Sequence, residues 1–291
     1  MKLTALHPVF AARVDGINLR HPLSPAMVAR IHQGMNDYAV LVFRDQDLTD
    51  EHHLAVGQAL GEIETSRATV DETDHRLQHN NMNDISNIGS DGKLLAADAR
   101  RRMFNLGNRL WHTDSSFKPT PAKYSLLYAH HVPAAGGDTE FADMRAAWDA
   151  LDKPMRQRLD GLVAMHSLLY SRARLGWHDF NEQERAKFKP VPQRLVRRHE
   201  GSGRLGLYLA SHIGEIQGWP VAEAMIFVSD LVEHATRPGF VFRHQWKKGD
   251  LVIWDNRCTM HRATAFDDVN EPRDLRRVTL QDSAPTLAQP I

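Results

Sequence analysis

Short apolar runs recur along this chain at uneven intervals, each closed off by Gly, Pro or Asp. They narrow the fold more than any other feature. "AVLVFR" (39–44), "DISNI" (84–88), "YSLLYAHHV" (124–132), "DTEFADM" (138–144), "LYLASH" (207–212), "FVFRHQW" (240–246), "DLVIWDN" (250–256) and "LRRVTLQ" (275–281) favour the residues that suit a pleated, buried surface. Helical patterns are fewer. Ser24 caps a helix that starts at Pro25 and runs toward Tyr38, and Thr49 opens another that ends near Gly61. Asp143 can cap "MRAAWDALD", with Pro154 starting the turn after it. Pro220 opens the longest, in which Val221, Ala224, Met225, Val228, Leu231, Val232 and Ala235 share one face. Strands and helices do not alternate regularly, which argues against a doubly wound parallel sheet. The expectation is a mainly β fold with outer helices: a mostly antiparallel double-stranded β-helix, or jelly roll. One domain spans 1–291, and its polar, aperiodic stretch 62–110 reads as a long active-site lid.

Charge and composition exclude several partners. Lys+Arg and Asp+Glu both number 36, so nothing electrostatic points to nucleic acid or an anionic membrane. No apolar run approaches the ~18 residues needed to span a bilayer. A single cysteine, Cys258, rules out an intrachain disulfide, and the first residues lack the apolar core of a signal peptide. A cytoplasmic enzyme is expected. Oligomeric state stays open, a homo-oligomer included. Histidine is the outlier, at 17 residues, and invites a search for metal ligands.

"LWHTDSSF" (110–117) places His112 and Asp114 two apart, where an extended chain points both side chains the same way. They cannot saturate a metal alone. His261, just after the strand-like "DLVIWDN", is the best third ligand. Two histidines and one carboxylate leave adjacent coordination positions open, as non-haem Fe(II) oxygenases require: two for a bidentate 2-oxo acid and one for O2. A structural zinc site would be closed by four ligands. Arg273 and Arg277, four apart near the end of the chain, share a face, and an apolar core buries arginines only where they meet anions. The distal carboxylate of 2-oxoglutarate is such an anion.

These strings resemble the taurine dioxygenase and 2,4-dichlorophenoxyacetate dioxygenase family of Fe(II)/2-oxoglutarate enzymes. The likeness runs from "LVFRDQ" to "LRRVTL" and is strongest to the aryloxyalkanoate branch in "DSSF", "FADMRAAWDALD", "EHATRPGFVFRHQW" and "GDLVIWDNRCTMHR". The resemblance implies His112, Asp114 and His261 as iron ligands. It implies Arg273 and Thr139 for the distal carboxylate of 2-oxoglutarate, and Arg277 near the iron-bound cosubstrate and the substrate's acid group. It also implies Lys93 for the substrate carboxylate. The implied reaction consumes 2-oxoglutarate and O2, releases succinate and CO2, and converts an aryloxyacetate to a phenol and glyoxylate.

Other readings compete. The same chemistry could serve an alkyl sulfonate or another small carboxylic acid. A metallohydrolase on the same barrel would need neither O2 nor 2-oxoglutarate, and a metal-free binding module would bind no Fe(II). Among the remaining histidines, His212 is a pocket candidate at the end of a strand-like run. His130, His131, His199 and His244 read as core or surface residues. Arg100–Arg102 reads as a solvated or lid face, and Met144, Trp148 and Leu151 as core.

Overall fold

The longest strand, Ala122–His131, is buried on both of its faces, and that double burial organises the molecule. The computed structural model describes residues 1–64 and 76–291, so residues 65–75 of the expected lid lie outside the described residues. Tyr124, Leu126 and Tyr128 point one way, into a core shared with Ile31 and Met35 of helix Pro25–Tyr38 and with Leu54, Val56 and Leu60 of helix Asp50–Leu60. Leu127 and Ala129 point the other way, into a second core with Phe141, Trp246, Val252 and Trp254. The two-residue period of a strand separates these sets.

Among the described residues seven strands make the main sheet, in the order Lys2–Ala5, Ala12–Asp15, Val40–Phe43, Leu251–Asp255, Ala122–His131, Asp274–Gln281, Asn83–Ser86. All neighbours are antiparallel except Ala12–Asp15 against Val40–Phe43. A three-stranded antiparallel sheet, Val241–His244, Thr139–Asp143 and Thr259–Ala263, contributes Phe141 to the inner core. A third sheet, Ile213–Ile216, Val163–His166 and Val191–Arg194, lies under helix Val221–Ala235. The fold is therefore mixed, with mostly antiparallel sheets and helices packed against them.

Local signals foresaw the helix starts well. Ser24 Oγ accepts from Met27 N, Thr49 caps its helix, and the Asp143 carboxylate accepts from Arg145 N and Ala146 N. The long helix is rotated from the expected face: Phe227 is buried with Ala224, Val228 and Leu231, whereas Val221 is exposed. "LYLASH" is strand only through Leu207. The strand Thr259–Ala263 has too mixed a composition to read from sequence, yet it carries His261. The 62–110 segment is not loop throughout: Asn83–Ser86 pairs as the outermost strand of the main sheet, and Arg100–Asn105 is helical. Nor is Arg100–Arg102 a solvated face. Arg100 pairs with Glu184, Arg101 with Asp84 and Arg102 with Asp268, each at 2.9 Å.

His53 gives the fold a testable acid response. It is fully buried in helix Asp50–Leu60, its Nε2 donates to Leu126 O at 3.1 Å, and burial lowers its pKa to about 4. The native state thus refuses a proton that the unfolded chain accepts near its ordinary value. This contribution is fully present above about pH 6.5 and is lost as pH falls toward 4, amounting to about 2 kcal/mol by pH 5. Urea unfolding at pH 7 and pH 5 should show wild type losing about that much more stability than His53→Gln. Equal pH dependence in the two proteins would rule the effect out.

Candidate active site

Asp114 lies at the centre of a network spun from four separate stretches of chain. Its backbone N–H donates to Asn256 Oδ1 at 3.1 Å, and its Oδ2 accepts from Ser125 Oγ at 2.7 Å. Asn256 Nδ2 in turn donates to Ser125 Oγ at 2.9 Å, while Trp254 Nε1 donates to Asn256 Oδ1. Asp114 Oδ1 accepts from Arg277 Nη1. Burial pushes the carboxyl's pKa up, but the Arg277 guanidinium, the two neighbouring imidazoles and the Ser125 hydroxyl outweigh it and hold it at about 2. At neutral pH Asp114 is an anion.

His112 and His261 meet through backbone pairing. His112 N donates to His261 O at 3.0 Å and His261 N to His112 O at 2.8 Å, an isolated antiparallel bridge that sets the ring centroids 4.2 Å apart. His112 Nδ1 lies 2.7 Å from Leu110 O. A carbonyl only accepts, so Nδ1 carries the proton and the Nε2 lone pair is left to face Asp114, 3.8 Å away. His261 Nε2 lies 3.6 Å from Asp114 Oδ2. Burial lowers the pKa of both imidazoles, so both are neutral. Two neutral imidazoles and an ionised carboxylate, with donor atoms within 4.8 Å of one another, suit a divalent transition metal. His199, Asp255 and Cys258 also cluster, but Arg257 donates to Asp255 at 2.7 Å and lies 3.2 Å from His199 Nε2, so a guanidinium already supplies the cation there.

A cavity opens beside the triad. His112, His261, Thr139, Arg273 and Arg277 all line it, with Leu127, Trp254, Leu95, Leu106 and Phe266 as apolar wall. Arg273 is buried; among the described residues its guanidinium donates to Gly137 O at 3.2 Å and Ile85 O at 3.4 Å and lies 5.9 Å from the Phe266 ring centroid. Burial lowers its pKa to about 10, still charged at neutral pH. Gly137 makes room for it: a Cβ there would lie 3.3 Å from Arg273 Nε. Thr139 Oγ1 accepts from Trp246 Nε1 at 2.9 Å, which leaves the hydroxyl hydrogen free to donate elsewhere.

The remaining expected residues fall outside this wall. His212 is buried, its ring edge-on to His112 at 5.9 Å and to Phe117 at 5.0 Å, but it does not line the cavity. Lys93 sits on an exposed turn closed by Gly89 N to Lys93 O, and the structure does not bring it to the cavity. Ser125 and Asn256, which hold Asp114, were not foreseen. The signal for Ser125 was present: it is the one hydroxyl in "YSLLY" without a ring, in phase with inward-facing Leu127 and Ala129.

An open centre of this kind beside a desolvated arginine that has no carboxylate within ion-pair distance among the described residues is what 2-oxoglutarate-dependent oxygenation needs. The family model described as taurine catabolism dioxygenase TauD, TfdA family matches residues 2–279. The chain belongs to that family and is a 2-oxoglutarate-dependent dioxygenase. It is 45% identical over 279 residues to the alpha-ketoglutarate-dependent 2,4-dichlorophenoxyacetate dioxygenase of Cupriavidus pinatubonensis (strain JMP 134 / LMG 1197), covering 96% of this chain and 97% of that one. Its identity to the enzyme of the same description from Burkholderia sp. (strain RASC) is 45% over 274 residues, covering 94% and 92% of the two chains. Among solved structures it superposes with TM-score 0.96 and 50% identity on AAD-2 in complex with Mn(II) and N-oxalylglycine, covering 98% of this chain and 99% of that one. No described helix is long and apolar enough to cross a membrane.

Proposed function

We propose that this chain is an Fe(II)-dependent dioxygenase that hydroxylates a small organic acid, an aryloxyalkanoate such as 2,4-dichlorophenoxyacetate, within one domain spanning 1–291 on a double-stranded β-helix. The observation that carries the reading is the buried His112, Asp114 and His261 set opening onto a cavity that also holds Arg273. The names of the two curated relatives support the substrate class, and the Mn(II) complex of AAD-2 supports a divalent metal at the triad.

His112, Asp114 and His261 would hold the iron. When bound, Fe(II) supplies the redox chemistry that couples decarboxylation of 2-oxoglutarate by O2 to hydroxylation of a C–H bond. The chain's own residues do the rest. Arg273 and the Thr139 hydroxyl take the distal carboxylate of 2-oxoglutarate, a charge-assisted pairing away from water. Arg277 holds Asp114 ionised and adds positive charge beside the cosubstrate. Ser125 and Asn256 fix the carboxylate's orientation, as outer partners of metal ligands do. Leu95, Leu106 and Phe266 keep the cavity dry, and Arg102, fixed by Asp268, holds the helix of the proposed 62–110 lid over it. In an aryloxyacetate the attacked carbon bears the ether oxygen. Its hydroxylated form is a hemiacetal, which collapses to a phenol and glyoxylate.

The test is succinate formation across aryloxyacetates, alkyl sulfonates and small carboxylic acids, with Fe(II), 2-oxoglutarate and O2 supplied. Aryloxyacetates should drive the most succinate, with phenol released in equal amount. Esterifying the acid should cost tens- to thousands-fold, the loss of a desolvated charge pair worth about 2–5 kcal/mol, and far more than changing a ring substituent. A methyl ester turned over as fast as its acid, or a sulfonate preferred over every aryloxyacetate, would refute the substrate class.

A further inference from the structure

An organic-acid substrate adds an anion to a cavity that already receives a dianionic cosubstrate, so it needs a cation of its own. Among the described residues four arginines and one carboxylate, Asp268, line the cavity. Three of the arginines are committed. Arg273 takes the distal carboxylate of 2-oxoglutarate in the proposed reading, Arg277 is paired with Asp114, and Arg102 is paired with Asp268 at 2.9 Å.

Arg109 is the fourth. Among the described residues its guanidinium has no hydrogen-bond or ion-pair partner. It closes the short 3-10 turn Leu106–Arg109, which follows helix Arg100–Asn105. Arg102, Leu106 and Arg109 stand four and three residues apart, so they share one face of this segment, and all three line the cavity. Arg109 also stands three residues before His112, which limits the distance between their Cα atoms to about 11 Å. His112 lines the same cavity. Arg109 is partly exposed, so without a ligand water meets its charge and the fold carries no buried, unpaired cation there. An entering carboxylate would exchange that water for a charge-assisted pair, which the planar guanidinium can make through two N–H groups at once.

We infer that Arg109 binds the carboxylate of the primary substrate and so sets a preference for organic anions. This rests on the proposed function above and identifies the residue that recognises the acid. The location suits the chemistry: in an aryloxyacetate the carbon to be hydroxylated is bonded directly to the carboxylate, so the cation that holds the acid must share the cavity with the metal ligands. The exposed Lys93 does not. Arg277 does, but its charge is already balanced by Asp114.

Arg109→Gln and Arg109→Lys should be compared with wild type on 2,4-dichlorophenoxyacetate, on its methyl ester and on 2-oxoglutarate, alongside thermal unfolding. Arg109→Gln should raise the KM for the acid roughly tenfold or more, the effect of losing a hydrogen-bonded charge partner, with the 2-oxoglutarate KM and the Tm close to wild type. Its kcat/KM for the methyl ester should stay within about twofold of wild type, because the ester presents no anion to Arg109 and the two changes therefore do not add. Arg109→Lys should recover part of the loss on the acid. An unchanged KM for the acid would overturn the inference and leave the acid to Arg277. So would an equal loss on acid and ester, or a fall in Tm with both KM values raised, since Arg109 would then shape the wall rather than bind the anion. A wild type that oxidises no aryloxyalkanoate would refute the proposed function, and the inference with it, before any variant is compared.

Discussion

Replacing any one of His112, Asp114 or His261 by alanine should abolish substrate-coupled succinate formation while leaving the fold intact. In the proposed reading each residue supplies one of three protein donor atoms, and among the described residues no other His, Cys, Asp or Glu joins the cluster to substitute. The loss should exceed the roughly 10–100-fold seen when an outer partner of a metal ligand is removed. The fold should survive because the triad is assembled by backbone pairing, His112 N to His261 O and the reverse, which alanine retains. Asp114→Ala should differ from the histidine variants in one respect. It leaves Arg277 without its carboxylate, so metal affinity falls through both a lost ligand and an unopposed positive charge. Titration of the metal-free proteins with Fe(II), alongside circular dichroism, separates loss of binding from loss of structure. A variant that keeps near-normal metal binding and turnover would remove that residue from the ligand set.

Arg273→Ala should raise the 2-oxoglutarate KM by tens- to thousands-fold, with little change in the primary substrate's KM. Arg273 is desolvated and has no carboxylate within ion-pair distance among the described residues, so its interaction with an incoming carboxylate is not diluted by water or by an existing salt bridge. Truncating one member of such a buried charge pair costs about 2–5 kcal/mol. Thr139→Val should act in the same direction but more weakly, since it removes one neutral donor worth about 0.5–1.5 kcal/mol. An unchanged 2-oxoglutarate KM in Arg273→Ala would move the distal-carboxylate role elsewhere on the cavity wall.

Much of the site was legible because motif and strand pattern agreed. An extended chain would aim His112 and Asp114 the same way, and an arginine pair at the end of an apolar strand has few uses other than anions. Lys93 shows where that reasoning stopped. The family resemblance implied it for the substrate carboxylate, but the turn closed by Gly89 and Lys93 leaves it exposed. Arg109 shows the converse. In "LGNRLWHTD" nothing marks it, and only the tertiary placement of its turn puts it on the cavity wall. Arg277, implied near the iron-bound cosubstrate and the substrate's acid group, lines the cavity and is also paired with Asp114, 163 residues away in sequence.

What the sequence by itself determined about this protein is what depends on neighbours a few residues apart. Ser24, Thr49 and Asp143 start helices because a side-chain oxygen reaches backbone N–H groups two or three positions on. The runs at 124–132 and 250–256 are strands because their apolar residues bury both faces. Tertiary structure alone decided which of those faces meet. The register of Thr259–Ala263 against Thr139–Asp143, and the bridge from His112 to His261, bring the second histidine to the first pair. Contacts between distant segments likewise pair Arg277 with Asp114 and Arg102 with Asp268. Those outcomes turn on contacts between distant segments, and a one-residue slip in register would turn every one of those side chains to the opposite face.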